Sequence, residues 1–165
     1  MEEIVRCIIA LGSNTEKPKE AIQNAIQKID ASQGIKVIAM AKNYSNDPVG
    51  FKSENIFINT AIEVETSLSP TNLLLKLEEI EKTLGRTIKS NGEYRDRIID
   101  LDIILFERKI ISTEKLSIPH TQFRTRDFVL IPLMDINPNL IDPVTQLSVK
   151  QLVKLLPEKR TLLEC

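Results

Sequence analysis

The sequence has 165 residues, enough for one substantial hydrophobic core and too few for two ordinary domains. Its 22 basic and 23 acidic residues give a net charge of −1, which excludes the strongly basic composition of a general nucleic-acid or membrane-surface binder. The N-terminus has no basic-then-apolar signal, no apolar run approaches a membrane span, and the two cysteines have no metal-site or disulfide spacing. We therefore expect a single domain over residues 1–165, located in the cytoplasm.

The first third of the chain predicts a strand followed by a helix. Residues 4–11 form an apolar run typical of a buried strand, and Gly12-Ser13-Asn14 predicts a turn after it. Pro18 suits a first helical turn, and apolar residues then recur at helical spacing until Gly34. This helix is expected to bury one face.

Two further strands are predicted, at residues 35–44 and 56–64, because both are rich in β-branched and aromatic residues. The segment between them, residues 45–55, is too long for a tight hairpin and contains Pro and Gly. It is interpreted either as a ligand-binding loop or as a variable surface loop.

A second helix is predicted from Ser69, a typical N-cap residue, to Gly85, a typical helix stop. Its inward stripe includes Glu81 between Leu77 and Leu84. A carboxylate that points inward usually has a cationic partner. Glu81 therefore belongs either to a structural ion pair or to a functional site.

Residues 86–96 form a polar segment that contains glycine and several cations. Such a loop suits the binding of a polyphosphate and closure over it. A charged segment of this kind, considered alone, is also typical of a solvated loop. Its position directly before a strand that carries two aspartates favours the first interpretation.

That strand carries Asp100 and Asp102. Side chains alternate between the two faces of a strand, so both aspartates are expected on one face. The opposite, core-facing row should contain Ile99, Leu101, Ile103 and Leu105, while Ile104 and Phe106 follow the aspartates on their own face. Since both faces carry apolar residues, we expect the strand to be covered on both sides.

The two aspartates lie roughly 7 Å apart between Cα atoms, from the rise of a strand. Like charges at this spacing repel each other unless cations compensate. One interpretation is a site for Mg²⁺, which prefers oxygen ligands and is completed by water and phosphate oxygens. The alternative is a surface pair that forms salt bridges with Arg95 and Arg97.

The predicted order is strand, helix, strand, strand, helix, strand, or βαββαβ. It predicts an α+β fold of the ferredoxin-like type, with a four-stranded antiparallel sheet and helices on one face. Extra C-terminal elements include the segment 115–120, an apolar segment at 128–134 and a short helix that opens near Ser148, with Val149, Leu152, Val153 and Leu155 inward. We expect them to pack around the sheet and to form part of the wall of the site.

With these residues in view, nearly the whole chain resembles the 6-hydroxymethyl-7,8-dihydropterin pyrophosphokinase family. The motifs that carry the resemblance, in chain order, are Ala10-Leu11-Gly12-Ser13-Asn14, Pro48-Val49-Gly50, Phe57-Ile58-Asn59, Gly85-Arg86, Arg97-Ile98-Ile99-Asp100-Leu101-Asp102-Ile103, Ile118-Pro119-His120 and Arg126-Asp127-Phe128. The Arg-x-x-Asp-x-Asp segment is the most specific of them.

The resemblance implies an enzyme that transfers diphosphate from ATP to the 6-hydroxymethyl oxygen of the pterin and releases AMP. By the same resemblance Asp100 and Asp102 hold two Mg²⁺ ions, and Asp102 also orients the hydroxyl group. Arg86 and Arg97 are expected to contact phosphates and to count with the aspartates as catalytic residues. Little covalent chemistry is required of the protein, which mainly positions groups and neutralises charge.

The resemblance further implies two sets of binding residues. Those expected on the ATP and metal side are Glu81, Lys89, Arg97, His120 and Arg126. Those expected on the pterin side are Asn46, Asp47, Val49, Phe57, Asn59, Tyr94 and Phe128, with the ring stacked between the two phenylalanines and bound by the Asn59 amide. Taken singly, a lone histidine is more often structural and the phenylalanines more often belong to a core.

The sequence departs from the family pattern at several positions. Asn46-Asp47-Pro48 replaces a Thr-Pro-Pro segment, Tyr94 stands where the catalytic loop usually has Trp, and Thr121 replaces an aromatic residue. Other hypotheses are a non-catalytic small-molecule-binding module of ferredoxin-like fold, an RNA-binding domain and a nucleotidyltransferase. We expect a monomer that binds small molecules, with neither nucleic acid nor membrane as a partner.

Overall fold

The computed structural model describes residues 3–46, 56–85, 98–157 and 162–165. Within these ranges the elements, in chain order, are β1 (Val5–Ser13), α1 (Pro18–Asp30), β2 (Ile35–Met40), β3 (Tyr44–Asn46), β4 (Ile58–Thr66), α2 (Pro70–Thr83), β5 (Asp100–Phe106), β6 (Ile111–Ser112), β7 (Ser117–Ile118), a 3-10 turn (Phe123–Thr125), α3 (Asp127–Ile136), α4 (Val149–Lys154) and β8 (Leu162–Glu164). Among the described helices, we find none with the length and apolar character that crossing a membrane requires.

The main sheet is antiparallel, and β1 lies in its interior between β4 and β5. Both β2 and β3 pair with the other edge of β4, and β8 pairs with β3. The sheet therefore has six strands, which corrects the expected four. The difference arises at positions 41–43, where the predicted strand 35–44 breaks and restarts as β3, and at β8, whose three residues give almost no sequence signal.

The end of β1 also differs from the prediction, because Gly12 and Ser13 belong to the strand and not to a turn. Gly12 is paired on both sides, with Asn59 in β4 and with Asp100 in β5. Pairing with two neighbouring strands outweighs the local turn preference of the Gly-Ser-Asn segment. The extension of β1 brings the strand to the level of the two aspartates.

Helices cover both faces of the sheet. On one face α1 and α2 pack against β1, β4 and β5 around residues such as Ile9, Ile62 and Leu77. On the other face α3 and α4 pack around Ile104 and Leu130. The expected placement of helices on one face thus describes only α1 and α2, while the C-terminal elements, expected only to pack around the sheet, form a complete second layer.

A β-bulge interrupts β5. Ile8 of β1 pairs with Leu105, but Ile9 pairs with Ile103, so one extra residue is inserted on β5. Beyond the bulge the alternation is reversed: Leu105 packs with the α3–α4 layer and Phe106 with the α1–α2 layer. The predicted faces of these two residues are therefore wrong, whereas Ile99, Leu101 and Ile103 do face the α1–α2 core.

Hydrogen bonds attach the α3–α4 layer to the segment that leads into β3. Asp135 of α3 accepts hydrogen bonds from the Tyr44 hydroxyl at 2.7 Å and from the Lys42 amide at 3.1 Å. In α4 the predicted inward residues Val149, Leu152 and Val153 are buried, but Leu155 is 72% exposed. The helix ends at Lys154, and the next buried side chain is that of Leu156.

Candidate active site

Asp100 and Asp102 occupy the start of β5, and the structure confirms that they share a face. Both border one cavity of about 400 Å³ on the α3 side of the sheet. The carboxylate of Asp100 is half-buried and that of Asp102 is exposed. The paired acids thus open into a cleft and are not sealed in the core, which the magnesium interpretation requires.

The backbone between the two aspartates is anchored to the core. Glu81 of α2 is only 3% exposed, and its Oε2 atom accepts a hydrogen bond from the Leu101 amide at 3.1 Å. The buried Ser13 hydroxyl donates to the Ile98 carbonyl just before the strand. Glu81 lies behind the strand and does not line the 400 Å³ cavity. Its observed contact fixes the segment that carries both acids.

The 400 Å³ cavity brings together several of the predicted pterin-side residues. We call it the larger cavity, because a second cavity of about 220 Å³ adjoins it. The lining of the larger cavity includes Gly12, Phe57, Asn59, Asp100, Asp102, Arg126 and Phe128. Asn59 is 4% exposed, and its buried Nδ2 donor has no acceptor among the described residues. A buried donor without a partner is costly, so a ligand acceptor in this cavity would relieve the penalty.

Arg126 lies in the larger cavity as well. Its guanidinium group is 5.5 Å from the centroid of the Phe128 ring and donates a hydrogen bond to the Gln122 side chain. These contacts hold the cation beside an aromatic face. Arg126 is therefore next to the predicted pterin-side residues, whereas the resemblance assigns it to the ATP side.

A second cavity of about 220 Å³ lies on the other side of Asp102. It is lined by Leu74, Leu101, Asp102, Ile103, Lys115, Leu116, Ser117, His120 and Thr121. These residues come from α2, from β5 and from the segment that contains β7. Asp102 borders both cavities, so ligands in the two cavities would meet at its carboxylate.

His120 is held by its backbone and by its ring. Its amide donates to the Ile104 carbonyl at 3.0 Å, and its Nδ1 atom accepts from the Gln122 amide at 3.2 Å. Burial lowers the pKa of His120; the charge of Asp102 opposes this shift and that of Arg126 adds to it. The imidazole is therefore neutral at pH 7, and because Nδ1 is an acceptor, Nε2 carries the proton.

The donor set fits a hard divalent cation. Two carboxylates on one face of a strand supply oxygen ligands, and Mg²⁺ commonly takes only one or two from a protein and the rest from water and phosphates. In the part of the chain that the structure describes, no cluster of three or more acidic, histidine or cysteine ligands is present. The described residues thus fit magnesium bound with a phosphate ligand better than an all-protein cage.

Several predicted site residues lie outside the described residues. They are Asp47, Val49, Arg86, Lys89, Tyr94 and Arg97, together with Arg95 of the alternative salt-bridge interpretation. Asn46 is the last residue of β3. The contacts expected of all these residues remain predictions.

Four residues that line the second cavity are not identified individually as site residues by the sequence. They are Leu74, Lys115, Leu116 and Ser117, which line it together with His120. Leu74 follows the ordinary helical pattern of α2, and the other three fall in a polar stretch without periodicity. The usable signal for residues 115–117 is their place in the segment 115–120, which the sequence predicts to form part of the wall of the site.

The fold and the cleft together define a class: a mixed α/β protein with an antiparallel sheet, in which two acids at the start of a strand lie at a cleft formed by two cavities. Residues 8–138 match the family model described as 7,8-dihydro-6-hydroxymethylpterin-pyrophosphokinase. The chain therefore belongs to this family.

Curated relatives agree with this assignment. The chain is 35% identical over 152 residues to a 2-amino-4-hydroxy-6-hydroxymethyldihydropteridine pyrophosphokinase of Haemophilus influenzae, covering 92% of each chain. It is 39% identical over 128 residues to the protein of that name in Bacillus subtilis, covering 78% of this chain and 75% of the relative. A folic acid synthesis protein of Pneumocystis carinii is 44% identical over 142 residues, which are 86% of this chain and 19% of that protein. The chain thus spans about a fifth of the length of this fungal relative.

Solved structures support the fold. A Plasmodium falciparum HPPK-DHPS structure with pteroate superposes with a TM-score of 0.73 at 16% sequence identity, covering 93% of this chain and 42% of that chain. A second structure of the same protein, solved with pterin and p-hydroxybenzoate, gives a TM-score of 0.72 at 16% identity and covers 93% and 43%.

Proposed function

We propose that the protein transfers a diphosphate group from ATP to the hydroxymethyl oxygen of 6-hydroxymethyl-7,8-dihydropterin and releases AMP, in folate biosynthesis. Family membership supports the reaction. The observation that carries the proposal for this chain is the position of Asp102, whose side chain borders both the 400 Å³ and the 220 Å³ cavities. Two substrates held in these cavities would approach each other at the paired acids.

The larger cavity is the proposed pterin site. A pterin is flat and has hydrogen-bonding groups along its edge, so it suits a cleft with two aromatic side chains and one buried amide. Phe57 and Phe128 supply the aromatic surfaces, and the Asn59 Nδ2 donor lacks an acceptor among the described residues. Asn46, Asp47, Val49 and Tyr94 are assigned to this site by resemblance alone.

The smaller cavity is the proposed site for the adenosine part of ATP. Leu74, Ile103 and Leu116 offer apolar surface to a planar base, and Lys115, Ser117 and His120 offer polar groups. The neutral His120 ring can donate one hydrogen bond through Nε2. Arg86, Lys89 and Arg97 are assigned to the phosphates by resemblance, with Arg126 at the border of the pterin site.

Asp100 and Asp102 are the proposed ligands of two Mg²⁺ ions. When bound, magnesium supplies charge neutralisation and alignment of the ATP phosphates. Glu81 is proposed to act behind them, by holding the Leu101 amide and hence the orientation of both carboxylates. The protein's own residues orient the hydroxymethyl group towards the phosphates.

The proposed reaction is an in-line displacement at the β-phosphorus of ATP. The hydroxymethyl oxygen forms a bond to this phosphorus, the bond to the oxygen of the α-phosphate breaks, and the hydroxyl proton leaves to solvent. Asp102 is proposed to orient the hydroxyl group. Positioning of two substrates in adjacent cavities supplies much of the rate enhancement in reactions of this kind.

We also propose that β1, β2, β4 and β5 with α1 and α2 form a ferredoxin-like βαββαβ unit, to which the other strands and helices are additions. The strand order β5, β1, β4, β2 supports this. A single domain over residues 1–165, a monomeric state and a cytoplasmic location are proposed from the sequence.

A product assay tests the proposed function. Purified protein is incubated with Mg²⁺, ATP and 6-hydroxymethyl-7,8-dihydropterin, and the products are separated by chromatography. We expect AMP and pterin diphosphate in equal amounts. ADP as the product would contradict diphosphate transfer, and binding of the pterin without turnover would favour the non-catalytic binding module.

A further inference from the structure

Gly12 lines the larger cavity. Its partners across the sheet are Asn59 in β4 and Asp100 in β5. Residues directly opposite each other in neighbouring strands have side chains on the same face. A side chain at position 12 would therefore lie between the Asn59 amide and the Asp100 carboxylate, on the side of the sheet that faces the cavity.

There is no space for even a methyl group at this position. A Cβ atom on Gly12 would be 2.8 Å from Asn59 Oδ1 and 2.8 Å from Phe57 Cε1, closer than carbon and oxygen atoms pack. The φ angle of Gly12 does not lie in the left-handed region, so its backbone does not require glycine. Glycine inside a strand destabilises the strand and often marks a close approach of another group. The requirement here is for space.

The position of the glycine matters for the substrate. Asn59 and Asp100 lie on strands two spacings apart, roughly 10 Å between Cα atoms. A ligand whose ring is bound at Asn59 and whose substituent reaches the phosphates at Asp100 must cross β1 at residue 12. Any side chain at position 12 would displace Phe57 and Asn59 and so change the ring site that the ligand occupies.

We propose that Gly12 is a positioning residue for the ring site: because it has no side chain, the Phe57 ring and the Asn59 amide can approach β1 closely, and this close approach sets where both side chains meet the pterin ring. This inference rests on the proposed function. It assigns to a residue without a side chain the role of setting the positions of the aromatic wall and of the buried amide in the larger cavity.

Binding measurements on Gly12→Ala test the inference without requiring turnover. We expect the dissociation constant of 6-hydroxymethylpterin, measured by calorimetry, to rise at least about tenfold, as overpacking of a closely fitted site predicts. The dissociation constant of a non-hydrolysable ATP analogue with Mg²⁺ should change less than about twofold, because the second cavity does not include Gly12. Unchanged pterin affinity in a folded variant would overturn the inference.

A double-mutant cycle keeps the test decisive if Gly12→Ala folds poorly. Phe57→Leu removes the ring edge, which is one of the two groups that a Cβ atom at position 12 would meet. Only the end of the Asn59 side chain then has to move, so adding Gly12→Ala to Phe57→Leu should give a folded protein in which Asn59 is displaced. The double variant should still bind 6-hydroxymethylpterin more weakly than Phe57→Leu alone, and equal affinities would overturn the inference. Failure of the wild-type protein to bind this pterin would instead remove the proposed function, and the inference with it.

Discussion

Two acidic regions of the molecule use carboxylates in opposite ways. Asp142 is 1% exposed and is enclosed by its partners: Arg124 contacts it through Nε at 2.5 Å and Nη2 at 2.9 Å, and it also accepts hydrogen bonds from the Thr145 hydroxyl and the Val144 amide. Asp102, in contrast, is exposed to two cavities. The first acid stabilises the fold, and the second is the one that we propose binds a ligand.

The comparison shows how environment assigns a role to the same chemical group. Burial alone would raise the pKa of Asp142, but the hydrogen bonds from Arg124, Thr145 and Val144 and the charge of Arg124 lower it to about 2. That carboxylate stabilises the fold through its ionised form. Changing Asp142 to Asn should therefore lower stability and leave catalysis unchanged, and changing Asp102 to Asn should do the reverse.

The largest effect is expected for Asp102→Asn, which removes one charge from the acid pair. Loss of about 4 kcal/mol of transition-state stabilisation, a typical contribution of charge neutralisation at a metal site, lowers kcat about 1000-fold. Thermal unfolding should stay close to that of the wild-type protein, since the side chain is exposed. A kcat within about tenfold of the wild-type value would contradict the assignment of Asp102 as a magnesium ligand.

Asp142→Asn should show the opposite pattern. Because the folded pKa lies below the ordinary value of 3.8, ionisation of Asp142 contributes about 2 kcal/mol to the free energy of unfolding above pH 4. The difference between wild type and variant, measured in urea, should be about 2 kcal/mol at pH 7 and should shrink as the pH falls from about 4 to 2. The kcat of the folded variant should be unchanged.

Glu20→Gln provides the matched control for this pH series. Glu20 forms an exposed ion pair with Lys17 at 3.9 Å, so its amidation should change stability little at any of these pH values. If Asp142→Asn and Glu20→Gln gave the same pH dependence, the closed carboxylate site would have no special role in stability.

The sequence predicted the open acids better than the closed one. The Asp-x-Asp pattern directly specifies a shared face, whereas nothing near Asp142 identifies Arg124 as its partner 18 residues earlier. The bulge at Ile104 could not be foreseen either, because it depends on how β5 registers with β1. Local periodicity thus predicted the first residues of β5 correctly and the last two incorrectly.

The same limitation explains the second cavity. His120 was a candidate because of its neighbouring proline and the family pattern, but Leu74 and Leu116 are distant in sequence and look like ordinary core residues. They meet because α2 and β7 both pack against β5. An apolar pattern predicts that such residues are buried, but it does not identify the distant residues that they contact.

A smaller effect is expected for the residue behind the open acids. Glu81→Met removes the acceptor of the Leu101 amide, and loss of such a supporting contact lowers activity about tenfold. Glu81→Gln keeps an acceptor oxygen and should retain activity within about threefold. The Mg²⁺ concentration at half-maximal rate should rise in the methionine variant only. Equal losses in both variants would show that the charge of Glu81, and not its hydrogen bond, is required.

The smallest effect is expected at the second cavity, where His120 is proposed to contact ATP. Its pKa is lowered mainly by burial, so at pH 7 the ring offers a neutral hydrogen bond and not an ion pair. Removal of one such bond in His120→Ala should raise the KM for ATP about fivefold, with kcat and the KM for the pterin nearly unchanged. The ratio of the ATP KM of the variant to that of the wild-type protein should be the same at pH 7 and pH 8.5, because the wild-type imidazole is neutral at both. A ratio that falls as the pH rises would mean that a charged imidazole contacts the phosphates. In that case the second cavity would bind phosphate as well as the adenosine part of ATP.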